Sequence, residues 1–462
     1  MSKAKIICTI GPATESRESL KRLIEEGMNV ARLNCSHGNY EEYERIIKII
    51  RQLDSSVGIL LDTQGPKIRT GEFEKNTVLK KESTVIIRNK DIIGNKKEFS
   101  ITYKNLHKDV KKGSSVLIDD GLCELIVEKI KGKDIICKVK NSGPVSSRKG
   151  LNFPNSDLSI PGITEKDIKD MKFGISHCVD FIGVSFVREV EDVLKVREIL
   201  KKNKSDIHIV AKIEHILAVE NLDGIIKASD GVMIARGDLG VEVVPEKVPI
   251  IQKNIVKMAK KHGKFSIVAT QMLNSMIENP RPTRAEVSDV ANAVFDRTDA
   301  VMLSGETAIG KYPFEAVKIM KRIIKEIESV VKFKPSDPED LSPSELIAKN
   351  AVSAAQDLKV PYIIVPTESG YSAQLVAKNR PSAQIYALVP NETVLRRLSI
   401  LYGTSGFLVD HSEDLLIRLR SGIKKLIQQK LIRKEDYVVI TGSYKSKKTN
   451  TLIIHRVENI LE

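Results

Sequence analysis

The alternation of short apolar runs with amphipathic helical stretches is the feature that most limits how this chain can fold. Lys5–Ile10 reads as a strand and Glu18–Glu26 as a helix. Met28–Leu33 and Tyr40–Arg51 repeat the pair, and Val57–Leu61 begins a third. The rhythm then stops, and resumes with strands at Val179–Ser185, Ile207–Ile213, Gly231–Ala235, Phe265–Thr270 and Ala300–Leu303, with helices between them. Three strands before the break and five after it make eight, the number that closes a parallel (β/α)8 barrel.

From Gly71 to Asn155 no long helical pattern occurs. The runs Ser83–Arg88, Ser114–Asp119, Glu124–Ile130 and Asp134–Lys140 are β-rich, and turn signals such as Lys112-Gly113 and Lys131-Gly132 separate them. An all-β module, a small barrel, is therefore expected as an insertion after the third strand. After the last barrel helix, the polar, proline-marked run Lys332–Glu345 reads as a linker. Beyond it, helices near Leu346–Leu358 and Ser372–Lys378 alternate with strands near Tyr362–Val365, Ile385–Leu388, Gly406–Val409, Tyr437–Thr441 and Thr451–His455. An open α/β sheet fits that pattern. The expected division is residues 1–70 with 156–332 for the barrel, 71–155 for the inserted lid, 333–345 for the linker and 346–462 for the C-terminal α/β domain.

At 462 residues the chain exceeds one ordinary domain, and 41% apolar with 29% charged residues is a globular composition. The formal charge of +14 raises the question of a polyanion, but the lysines are spread in pairs such as Lys80-Lys81 and Lys260-Lys261. That is a solvated surface, so no nucleic-acid partner is expected; positive potential also speeds capture of small anions. The five cysteines form no CxxC pair and no metal-ligand spacing with the histidines, which reads as free thiols in a reducing compartment. The start MSKAKIICTIGPA reads as a strand and not as a signal peptide, and no run approaches a membrane span of about 20 apolar residues. A cytoplasmic protein without a membrane partner is expected.

Active sites of such barrels are built at the C-terminal ends of the strands. Those ends here are Arg32-Leu33-Asn34-Cys35-Ser36-His37-Gly38, Asp62-Thr63-Gln64-Gly65-Pro66-Lys67-Ile68-Arg69, Lys212-Ile213-Glu214, Arg236-Gly237-Asp238, Thr270-Gln271 and Ser304-Gly305-Glu306. Strand ends meet solvent, so one polar residue there is ordinary; charges and hydroxyls on six ends facing one mouth are not. Glu214 and Asp238 are hard oxygen donors suited to Mg²⁺, which keeps water or substrate oxygens as its remaining ligands. Lys212 lies two residues before Glu214, on the same face of an extended strand. Arg32 and Arg69 offer guanidinium groups to phosphate or carboxylate. The set suits phosphoryl transfer, which needs positioned cations and little covalent work from the protein.

The motifs CTIGPAT, ARLNCSHG, LDTQGPKIRTG, VSFVRE, AKIE, IARGDLGVE, ATQMLNSM, PTRAEVSDVANAV and VMLSGETAIGKYP resemble those of the pyruvate kinases, in order and from about Lys5 into the third domain. The resemblance implies transfer of a phosphoryl group from phosphoenolpyruvate to ADP, giving pyruvate and ATP. It implies Mg²⁺, with Mn²⁺ as an alternative, on Glu214 and Asp238. Lys212, Arg32 and Thr270 become the catalytic set, with Lys212 stabilising the enolate and Arg32 binding phosphate. Gly237, Asp238 and Thr270 join Arg32 and Lys212 around the substrate. Asn34, Cys35, Ser36, His37, Arg69 and Lys149 make the nucleotide site, and Ser275 with Glu306 supports it from behind. A homotetramer is expected from the family alone. TESGYSA (Thr367–Ala373) resembles a loop that binds a phosphorylated effector in some members, though a Ser/Gly turn opening a helix is equally an ordinary N-cap. The partner loop Thr441–Thr451 departs from the usual pattern and is basic.

Residues matching the family's K⁺ site are Asn34, Ser36, Asp62 and Thr63. Lys67 stands where K⁺-dependent members carry Glu, so the resemblance implies a K⁺-independent enzyme in which the ammonium group replaces the ion. Two rival readings use the same barrel. A phosphoenolpyruvate mutase or pyruvate aldolase would share the carboxylate pair and Mg²⁺ but gives no reason for the β lid and third domain. A non-catalytic binding protein would have no need of Lys212, Glu214 and Asp238 together.

Overall fold

The computed structural model describes every residue except 1, 120, 155, 157, 332–340, 411, 413 and 443–447. Eight strands, Lys5–Thr9, Val30–Asn34, Gly58–Asp62, Phe181–Val184, His208–Ile213, Gly231–Ala235, Phe265–Ala269 and Ala300–Leu303, close into a barrel. Every pairing is parallel, and the first strand meets the last from Lys5–Ala300 to Cys8–Leu303. Because successive side chains on a strand alternate in direction, each strand serves two cores. Ile6, Cys8, Ile59, Leu61, Ile209 and Ala211 face the surrounding helices. Ile7, Val30, Leu60, Val210, Met233 and Met302 fill the interior. Continuing the inward parity by two residues brings Arg32, Asp62 and Lys212 to the upper end of that interior, and the packing of the lower barrel thereby aims them.

The inserted module is a seven-stranded sheet in the order Ile68–Arg69, Gly150–Asn152, Ser115–Ile118, Cys123–Lys131, Asp134–Val139, Thr84–Arg88, Glu98–Ser100. Its ends curl together: Thr70 bridges Ile101, and the Gly71 N–H donates to the Ser100 carbonyl at 2.7 Å. A core of its own, including Leu79, Val85, Phe99, Val116, Leu125 and Cys137, fills this small barrel. The chain enters it at Gly65-Pro66-Lys67. Gly65 has φ +69°, and a Cβ there would lie 2.8 Å from the Ser185 Cβ, so only glycine lets the crossing pass so close to the fourth barrel strand.

The C-terminal sheet runs Thr404–Leu408, Gln384–Val389, Tyr362–Pro366, Tyr437–Gly442, Thr451–Arg456, parallel except for the last strand. A helix at Leu415–Gln428, absent from the sequence reading, covers one face with Leu415, Leu419, Ile423 and Leu426. The expected linker falls largely on 332–340, outside the described residues; the helix Pro343–Asp357 begins within its remainder. Its start is a capping box, with Ser342 accepting from the Glu345 N–H and proline in the first turn. The N-terminal end of the barrel is closed by this domain. Arg396 Nε donates to Asp180 Oδ1 at 2.7 Å, Arg380 Nη2 to Asp299 Oδ2 at 2.7 Å, and Lys5 Nζ to the Thr404 carbonyl at 2.6 Å. The opposite mouth stays open beneath the insertion. Among the described residues, no helix is long and apolar enough to cross a membrane.

Candidate active site

Lys212 is the centre of the mouth. Its ammonium lies 3.1 Å from Asp62 Oδ1 and 2.9 Å from Glu214 Oε1, and donates to Ser185 Oγ at 2.6 Å. Burial alone would lower its pKa; the carboxylates of Asp62 and Glu214 outweigh burial and hold the charge firmly. Asp62, fully buried, is shared. Arg32 places Nε and Nη2 each 2.7 Å from Asp62 Oδ2, while Nη1 donates to Thr9 Oγ1 at 2.9 Å. Burial pushes the Asp62 carboxyl up, yet Lys212 and Arg32 together hold it below the usual carboxylate range. The anchored Arg32 and Lys212 both line a cleft of about 520 Å³, along with Asn34, Ser36, His37 and Arg69.

Glu214 is fully buried, and desolvation is the main cause of its raised pKa. Its Oε2 accepts the Phe186 N–H at 2.7 Å, and its Oε1 lies 2.9 Å from the Lys212 ammonium. Asp238, in the first turn of the helix Arg236–Glu242 that follows strand six, faces the same cleft. Two hard oxygen donors lining one cleft fit a Mg²⁺ ion that would share its remaining ligands with substrate and water. No group of three or more His, Cys, Asp or Glu among the described residues forms a closed metal cage.

Backbone conformation supports this geometry. Phe186, Thr270 and Gln271 have φ of 54°, 67° and 54°, left-handed values that are rare for such residues and that cluster at functional sites. Thr270 Oγ1 accepts the Gly237 N–H at 2.8 Å and donates to the Ala269 carbonyl at 2.6 Å. Arg236 braces the turn, with Nη2 on the Thr270 carbonyl at 2.7 Å and Nη1 on Asp289 at 2.6 Å.

Other expected residues divide. Asn34, Ser36, His37 and Arg69 line the cleft. Cys35 is turned into the barrel core; its N–H donates to the Asp62 carbonyl at 2.9 Å and its carbonyl accepts from Lys166 Nζ at 2.9 Å. Lys149 sits on the lid outside the cleft lining, 3.0 Å from Asp119. Glu306 and Ser275 stay out of the lining. Glu306 accepts from the Leu273 and Ser304 N–H groups at 3.0 and 2.7 Å, and Ser275 Oγ bonds Glu286 at 2.5 Å; both brace the loops of strands seven and eight. Three of the four residues matching the K⁺ site, Asn34, Asp62 and Thr63, accept hydrogen bonds on their side-chain oxygens. Asn34 Oδ1 accepts the Ser36 N–H at 3.2 Å and Thr63 Oγ1 the Ser185 N–H at 3.3 Å. Lys67 Nζ instead reaches Asp238 Oδ1 at 3.0 Å. Sequence reasoning missed Ser185; its position two residues after Gly183, which pairs with Asp62, was the available signal.

A closed eight-stranded barrel with anchored Arg32 and Lys212 beside the carboxylates of Glu214 and Asp238 at its mouth carries the kinds of group that a phosphoryl-transferring barrel enzyme needs. Comparisons with known proteins refine that class. A family model described as "Pyruvate kinase, barrel domain" matches residues 1–317, and "Pyruvate kinase, alpha/beta domain" matches residues 345–455. A pyruvate kinase of Bacillus licheniformis is 46% identical over 96% of this chain and 78% of its own length. One of Staphylococcus aureus is 44% identical over 98% of this chain and 79% of its own. The crystal structure of a pyruvate kinase from Cryptosporidium parvum superposes with a TM-score of 0.93 at 39% identity, covering 99% of this chain and 96% of that one. The chain belongs to the pyruvate kinase family.

Proposed function

We propose that the barrel mouth transfers the phosphoryl group of phosphoenolpyruvate to ADP, with Lys212 at its centre. The observation that carries this reading is the Lys212 ammonium, held between the buried carboxylates of Asp62 and Glu214 beside the anchored Arg32. Glu214 and Asp238 hold Mg²⁺, or Mn²⁺ in its place, and the ion when bound supplies positive charge to substrate oxygens. The bond between phosphorus and the enol oxygen breaks as one forms to a terminal oxygen of ADP. The electron pair stays on the enol oxygen as an enolate. Arg32 and Lys212 face that charge as it develops, and their position is fixed before reaction, which is where electrostatic groups are most effective. The helix start at Gly237 and the Thr270 hydroxyl orient the substrate carboxylate. The enolate carbon then takes a proton, which Thr270 relays from water.

Asn34, Ser36, His37 and Arg69 form the nucleotide side of the cleft, and the backbone at Cys35 shapes it. Lys149 joins them when the lid, residues 71–155, swings over the barrel formed by 1–70 and 156–332. Residues 346–462 make a regulatory domain beyond the linker 333–345. There Thr367 Oγ1 accepts the Gly370 N–H at 3.1 Å, and Ser372 Oγ lies 2.7 Å from Thr449 Oγ1. That hydroxyl-rich turn opens a helix and supports binding of a phosphorylated effector. A homotetramer and a cytoplasmic location fit the family; the five cysteines are free thiols. The test is ADP-dependent formation of pyruvate from phosphoenolpyruvate with Mg²⁺. Turnover that needs all three components supports the reading; pyruvate release independent of ADP contradicts it.

A further inference from the structure

Beside the cleft lies a second, small cavity of about 80 Å³, under the two crossings that connect lid and barrel, and Asp238 and Glu242 both line it. Glu242 ends the helix Arg236–Glu242, one turn after Asp238 and on the same face. Its side chain is only 3% exposed. Oε1 accepts from Asn152 Nδ2 at 2.9 Å, and Asn152 belongs to the last strand of the insertion. Oε2 accepts no hydrogen bond and faces His215 Nε2 at 3.5 Å. The His215 Nδ1 accepts the Leu217 N–H at 3.2 Å, so the neutral ring carries its proton on Nε2, toward Glu242. His215 directly follows Glu214. One carboxylate thus meets the segment bearing Glu214, the helix bearing Asp238 and the return strand of the lid.

A carboxylate is an expensive way to fill this space. Burial raises the Glu242 pKa, and the Asn152 amide offsets that only in part. An apolar side chain would sit among Leu151, Phe153 and Leu217 without that cost. What an apolar residue lacks is the capacity to join three segments at once. We propose that Glu242 is a positioning residue that sets the separation of Glu214 and Asp238 and ties it to the lid through Asn152. The inference rests on the assignment of Glu214 and Asp238 as the metal ligands. Groups that hold metal ligands from behind change metal affinity by about 10- to 100-fold when altered.

Mn²⁺ binding, read from loss of the free-ion paramagnetic resonance signal, tests this in the full-length protein. Asn152→Asp sets two carboxylates face to face. It adds negative charge, which by simple attraction would tighten binding; the positioning role instead predicts binding weaker by about 10-fold. Combining Asn152→Asp with Glu242→Gln exchanges donor and acceptor at unchanged net charge, and affinity returns to within about 3-fold of the unmodified protein. In turnover assays the metal KM follows the same pattern, while kcat at saturating Mn²⁺ moves much less. Asn152→Ala, which removes only the donor, serves if Asn152→Asp does not fold, and it too weakens binding. Unchanged Mn²⁺ affinity in the folded Asn152 variant, or a double variant no better than Asn152→Asp, overturns the proposal. Asp238→Ala separates the two levels. If it leaves Mn²⁺ binding intact, the metal assignment itself fails; if it abolishes binding while Asn152→Asp binds normally, only the role of Glu242 fails.

Discussion

Lys67 is paired directly with Asp238, its ammonium 3.0 Å from Oδ1 and 5.2 Å from the centre of the Phe186 ring. The Phe186 N–H in turn donates to Glu214. A lysine on the lid crossing therefore bears on both carboxylates of the metal pair, and not on Asn34, Ser36 or Thr63. Its fixed positive charge lines the same cleft as Asn34 and Ser36, which match the family's K⁺ site.

The first prediction follows from that charge. With Mg²⁺ present, adding K⁺ to a buffer free of potassium and ammonium changes turnover by less than about 2-fold, since the ammonium already supplies a compact point charge. Lys67→Glu alters the local charge by two units and makes turnover depend on K⁺. Initial rates across a K⁺ titration check both statements; strong activation of the unmodified protein contradicts them.

Removing one metal ligand should be far more damaging than its surface area suggests. Asp238→Ala takes away an anionic donor that is part-exposed and whose loss leaves the barrel core untouched. Turnover at millimolar Mg²⁺ should fall by about 1000-fold or more with the melting temperature nearly unchanged. Glu214→Ala should match it in rate but also shift stability, because Lys212 loses one of its two counter-charges. Near-normal kcat in either variant contradicts the assignment.

Much of this site was legible because the barrel imposes a simple rule. Strand parity places Arg32, Asp62, Lys212 and Glu214 at the inner upper rim, and that parity is visible in the chain as Val30-x-Arg32, Leu60-x-Asp62 and Val210-x-Lys212-x-Glu214. Relations across long sequence separations were not legible. Lys67 was expected near the monovalent-ion site, but its contact with Asp238, 171 residues away, has no local signal. Asn152 meets Glu242 across the lid crossing, and although Glu242 closes the IARGDLGVE run, nothing local to either residue marks the other as its partner. Arg236–Glu242 reads as a strand end followed by a loop, because two glycines mask a helix of seven residues. The helix Leu415–Gln428 lies outside the sequence reading although its apolar residues Leu415, Leu419, Ile423 and Leu426 recur at helical spacing.

Stability should depend on pH through Lys260, which lies beside Arg297, Arg380 and Lys378 near the junction of barrel and C-terminal domain. Burial first, then those three cations, lowers its pKa to about 7. In the unfolded chain it titrates near 10.4. Between those values the unfolded state binds more protons, so stability rises with pH. The penalty for a buried charge is full below pH 7 and fades as pH climbs above it. Thermal melts at pH 7 and pH 9 should therefore show a rise that is smaller in Lys260→Met, and that variant should be the more stable of the two at pH 7. Identical pH dependence in both proteins contradicts the account.

The most direct test of the central claim is the turnover number of Lys212→Met for pyruvate formation from phosphoenolpyruvate and ADP. Methionine keeps the stem and removes the charge that Asp62, Glu214 and Ser185 hold in place. If that charge acts on the transferring phosphoryl group and the enolate, kcat falls by about 1000-fold or more while the KM for phosphoenolpyruvate changes by less than about 5-fold. A folded Lys212→Met protein with kcat near that of the unmodified enzyme, its loss confined to substrate binding, would contradict the account.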